Sequence, residues 1–94
     1  MTEKLNPTIL TAVQTAISDL ANLEVHEVAA NDHLVNDLFM NLKTDLPAII
    51  RRLQQAGYQL PSRVLADFLL EINQDPDKAT VAELVIMIEE ELKY

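Results

Sequence analysis

The chain has 94 residues, 49% of them hydrophobic and only 4% aromatic, with a net charge of −8, one glycine, four prolines and no cysteine. One domain is the expectation for this length, with a core built from Leu, Ile, Val and Ala rather than from rings. The composition excludes a disulfide framework and thiolate chemistry, no apolar run approaches the ~20 residues that span a bilayer, and the acidic balance argues against nucleic acid as a partner.

The charge is uneven. Residues 31–60 carry three acids and three bases, whereas residues 61–94 carry eight acids against three bases. Met1 to Leu5 lack the basic segment and long apolar stretch of a secretory signal, so a cytoplasmic location is expected.

Asn6-Pro7 opens the first predicted helix, with Asn as N-cap and Pro at the first helical position. Leu10, Val13, Ile17 and Leu20 then recur at helical spacing, and the helix ends near Ala21-Asn22. From Leu23 to Leu38 the period breaks, and Val25, Val28, Leu34, Val35 and Leu38 are apolar anchors strung along a loop. Leu46, Ile49, Ile50 and Leu53 form the core-facing stripe of a second helix, which Gly57 stops. Thr44 is its expected N-cap, because that places Pro47 inside the first turn, where its missing N–H costs little.

Ser62 opens a third helix carrying Val64, Leu65, Phe68, Leu69 and Ile72, and a polar loop from Asn73 to Lys78 follows. Thr80 and Glu83 have the T-x-x-E spacing of a capping box before the last helix. Val81, Leu84, Val85, Ile88 and Leu92 line one face of that helix, and Ile86 and Met87 widen the stripe beyond what a single contact needs. Four amphipathic helices must bury their stripes against one another, so the expected fold class is all-α, a small bundle of four helices with a long first loop. Connections as long as the one from Ala21 to Thr44 are usually functional or packed by their own side chains.

Catalytic signals are missing. The chain has no Gly-rich phosphate loop, cysteine nucleophile or recognisable triad, so a non-enzymatic role is expected. His26 and His33 lack metal-site spacing and read as surface residues, with no metal expected.

The pieces in this order resemble the acyl carrier protein family over nearly the whole chain. "ILTAVQTAISDLANLEVHEVAANDHLVNDL" looks like that family's first helix and long loop, with Asp37-Leu38 matching its terminal Asp-Leu pair. Gly57-Tyr58-Gln59-Leu60-Pro61 is similar to its Gly-(apolar)-x-Ile-Pro turn, and "TVAELVIMIEEEL" resembles its last helix.

The resemblance implies a phosphopantetheine arm on a serine within Asp-Ser-Leu, at the start of the second helix. Here those three positions read Asn41-Leu42-Lys43, and leucine cannot bear a phosphodiester. Ser18 and Ser62 lie elsewhere, and Thr44 is the nearest hydroxyl. No cofactor is therefore expected; phosphopantetheine enters only under the rival reading, a working carrier in a specialised fatty-acid or polyketide pathway with its arm on an unexpected hydroxyl. The family's second helix presents acids to its enzymes, whereas Arg51 and Arg52 occupy the matching face here.

The expected role is that of a monomeric, non-catalytic protein-binding module whose partner belongs to a biosynthetic pathway. Its expected contact residues are Phe39, Met40 and Leu42, an apolar loop patch, with Lys43, Arg51 and Arg52 as a basic rim. The same apolar residues fold inward if they serve only to fill space. A third reading is a sheath for a free apolar ligand.

Overall fold

In the computed structural model, which describes residues 6–92, four α-helices follow in chain order: α1, Pro7–Ala21; α2, Leu42–Gln55; α3, Arg63–Gln74; and α4, Val81–Leu92. Short 3₁₀ turns at Val25–Glu27 and Pro76–Lys78 lie in the connections, and no strand occurs among the described residues. The fold is thus an all-α bundle of four helices with a long first connection. Among the described residues, no helix is long and apolar enough to cross a membrane.

Capping chemistry sets most of the boundaries. The Asn6 side chain accepts hydrogen bonds from the N–H groups of Thr8 and Ile9, and Pro7 occupies the first position of α1. α1 stops at Asn22, which adopts left-handed backbone (φ 59°), and the Leu23 N–H returns to the Ser18 carbonyl at 2.9 Å. Gly57, at φ 107°, does the same for α2: its N–H reaches Gln54 O and the Tyr58 N–H reaches Leu53 O, the two bonds of a Schellman motif. The Thr80 hydroxyl accepts from the Glu83 N–H at 3.2 Å, as its spacing predicts. Ser62, by contrast, makes no capping bond at the start of α3.

The expected N-cap of α2 is corrected. Asn41, not Thr44, caps this helix, which begins at Leu42 and puts Pro47 at its sixth position. Asn41 Oδ1 accepts from the Lys43 N–H at 3.0 Å, and Asp45 Oδ2 accepts from the Asn41 N–H at 2.8 Å. This reciprocal pair satisfies orphan groups on both sides of the helix start. It offsets the one ladder bond that Pro47 cannot make.

The core runs through all four helices. Val13 and Ile17 of α1, Leu46 and Ile49 of α2, Val64 and Phe68 of α3, and Leu84 and Ile88 of α4 are all buried. The long connection joins this core by its own side chains, since Val28, Leu34, Leu38 and Met40 are buried too. It is also stitched to the start of α4. The Leu34 N–H donates to the Ala79 carbonyl (2.7 Å), and Ala30 and Asp32 accept from the Ala82 and Val81 N–H groups (2.7 and 3.1 Å). Helix α4 thereby gives its first two orphan N-terminal donors to the connection rather than to water.

His33, half-buried at the surface, holds this junction. Its Nδ1 accepts from the Val35 and Asn36 N–H groups at 3.1 and 3.0 Å, and its Nε2 lies 2.9 Å from the Pro76 carbonyl. An Nδ1 with two donors aimed at it carries no proton, so we assign the neutral Nε2–H tautomer, which donates to Pro76. The Asp37 carboxylate completes the turn by accepting from the His33 N–H at 2.7 Å.

Candidate binding surface at the start of α2

The connection delivers Phe39, Met40 and Asn41 directly onto α2, and these neighbours face different ways. Met40 is buried, 6% exposed, and its N–H donates to the Leu34 carbonyl at 2.9 Å. Leu42, the first residue of α2, is half-buried and packs against the core. Phe39 alone points out, 86% exposed. The expected three-residue apolar patch is therefore corrected: Met40 fills space, Leu42 contributes one flank, and Phe39 is the exposed member.

Phe39 is also strained. Its φ of 56° is left-handed backbone, which favours glycine and disfavours a bulky side chain. Holding a non-glycine residue there costs on the order of 1–3 kcal/mol. A backbone bond from the Phe39 N–H to the Val35 carbonyl (3.1 Å) and the burial of Leu38 and Met40 on either side hold the conformation. The strain brings the ring no burial within its own fold.

A hollow of about 420 Å³ opens beside the ring, lined in part by Leu20, Leu23, Leu38, Phe39, Asp37 and Asp45. Leu23, 37% exposed, extends its apolar rim on the α1 side. Both carboxylates are engaged with backbone, Asp37 to His33 and Asp45 to Asn41. The border of this hollow is thus apolar and acidic, and no lysine or arginine lines it.

That arrangement corrects the expected basic rim. Lys43 and Arg52 are nine residues apart on α2, which puts them on roughly opposite flanks of the helix. Arg52 binds Asp19 of α1 at 2.9 Å, beside a separate hollow of about 290 Å³ between α1 and α2. Lys43 and Arg51 are exposed and make no ion pair among the described residues. The three bases do not converge on Phe39.

Hydroxyl groups are equally scattered. Thr44 lies two positions beyond Leu42, and its Oγ1 faces the Asn41 carbonyl at 3.4 Å. Ser18 is buried and donates to Thr15 O at 2.8 Å. Ser62 is exposed at the start of α3. Among the described residues no group of three or more His, Asp and Glu side chains is placed to hold a metal ion.

Sequence reasoning missed two residues that build this surface. The Asn41 cap was legible as an Asn before a helical run, but Pro47 argued for a later start. The His33 ring acts on Pro76, 43 residues away, and no local pattern carries that signal. Comparison of the chain with protein-family models, with curated proteins and with solved structures finds no match.

Proposed function

We propose that this chain is an acyl-carrier-protein-like domain that lacks the attachment serine and acts by binding another protein, without catalysis. The observation that carries the reading is the start of α2. There an alkyl side chain, Leu42, holds the first helical position, and three residues earlier Phe39 stands 86% exposed on strained backbone. A leucine cannot form a phosphate ester, whereas an exposed aromatic ring beside an apolar hollow suits a protein contact. Strain without a return in stability is the pattern of a position kept for contact. The contact surface is Phe39 with Leu23 and the exposed flank of Leu42, and the partner is an enzyme or scaffold of a biosynthetic pathway.

Coexpression with a broad-specificity phosphopantetheinyl transferase, followed by intact-mass measurement, tests this reading. The mass expected is that of the bare polypeptide. A gain of one phosphopantetheine overturns it.

One observation favours the rival, a working carrier in a specialised fatty-acid or polyketide pathway. Ser62 is an exposed hydroxyl at a helix start, with no capping bond of its own. Phosphate suits a helix N-terminus electrostatically. If the arm is found, peptide mapping to a hydroxyl such as Thr44 or Ser62 establishes the rival.

A further inference from the structure

The most acidic part of the chain is organised into a trough. Helices α3 and α4 leave two hollows between them, of about 290 and about 160 Å³, which share Met87 and Glu90 and so adjoin. Arg63, Asp67 and Glu71 are spaced four residues apart along α3 and line the same side. Their span is roughly 12 Å, about two helical turns. Glu83, Glu90 and Glu91 stand along α4, and Ile86 and Met87, both half-buried, form the apolar part of the lining. The lining thus holds five carboxylates against one guanidinium.

The protein's own cations already use the two ends. Arg63 reaches across from α3 to Glu91 of α4 at 3.1 Å, and Lys78 reaches Glu71 at 3.3 Å. The hydrogen bond to Glu91 holds the Arg63 guanidinium above its ordinary value, with Glu91 and Asp67 adding charge attraction. Between these ends Asp67, Glu83 and Glu90 make no ion pair among the described residues. Ile86 and Met87, which widen the apolar stripe, are only half-buried on the same surface.

We propose that the α3–α4 trough is a docking site for a cationic amphipathic helix of a partner protein. The apolar face of that helix lies over Ile86 and Met87. Its lysines or arginines meet Asp67, Glu83 and Glu90, repeating in the middle what Arg63 and Lys78 do at the ends. Methionine suits such a floor because its flexible thioether adapts to differing side chains. Laying the apolar face of a helix into a groove is a recurring recognition mode, and opposite potentials steer its encounter. A second copy of this chain is a poor occupant, since each copy carries −8. The trough includes no residue of α2 and stands independently of the reading at Phe39.

The test is an NMR titration of the ¹⁵N-labelled full chain with a synthetic leucine–lysine amphipathic peptide of about four turns. Saturable shifts are expected at residues 63–71 and 83–91, with affinity falling at least threefold or so as salt rises from low to physiological levels. Asp67 and Glu90 are both exposed, so the double variant Asp67→Lys/Glu90→Lys keeps the fold and loses about tenfold in affinity. Three results overturn the proposal: no saturable binding, shifts centred on Phe39 instead, or the same affinity in the charge-reversed variant. Equal shifts from spermine also overturn it, because they reduce the trough to a site of counter-ion accumulation. None of these results touches the mass measurement that tests the reading at Leu42.

Discussion

Leu34 and Phe39 lie five residues apart in the same connection and occupy opposite environments. Leu34 is fully buried, and its backbone N–H is paired with Ala79 at 2.7 Å. Phe39 is the larger apolar residue, yet it is 86% exposed and sits at φ 56°. A connection that only needed to close the bundle would bury the larger group and place glycine at the strained position. The two residues separate what this segment does for the fold from what it offers to the outside.

Substitutions break the comparison in order of size. Leu34→Ala removes a fully buried side chain and leaves a cavity, so unfolding in denaturant is expected to show a loss of about 3 kcal/mol. His33→Ala removes the bridge from the connection to Pro76 and two acceptor bonds, for a loss of about 2 kcal/mol. Faster amide exchange at Leu34, Val81 and Ala82 should accompany it, because those donors seal the same junction. Asn41→Ala removes the cap of α2, for a loss of about 1 kcal/mol and increased exchange at Lys43.

Phe39→Gly has the smallest effect and the opposite sign. Relief of left-handed strain, partly cancelled by the entropy of glycine, should raise stability by about 0.5 kcal/mol while removing the proposed contact. A loss of 1 kcal/mol or more in this variant would merge Phe39 with Leu34 as a packing residue and remove the distinction.

The same contrast explains what the sequence disclosed. The stripes Leu46-Ile49-Ile50-Leu53 and Val81-Leu84-Val85-Ile88-Leu92 are local and periodic, and all of their residues but the half-buried Leu92 are buried as read. Asn6, Gly57 and Thr80 act on neighbours within a few residues, and their roles follow from position. In the connection and where it joins α2, sequence neighbours have no fixed angular relation, so Phe39, Met40 and Leu42 look alike although only one faces fully outward. The start of α2 was misread because a proline rule outweighed a cap that is stabilised by Asp45. The basic rim failed for a geometric reason: Lys43 and Arg52 share a helix but not a face.

The exposed ring is the claim on which the account turns, and the chain has only two phenylalanines to observe, Phe39 and Phe68. Proton relaxation of both rings in the presence of a soluble paramagnetic agent measures their access to solvent directly. The account predicts strong enhancement at Phe39, 86% exposed, and almost none at Phe68, 2% exposed. Equal protection of the two rings would contradict it.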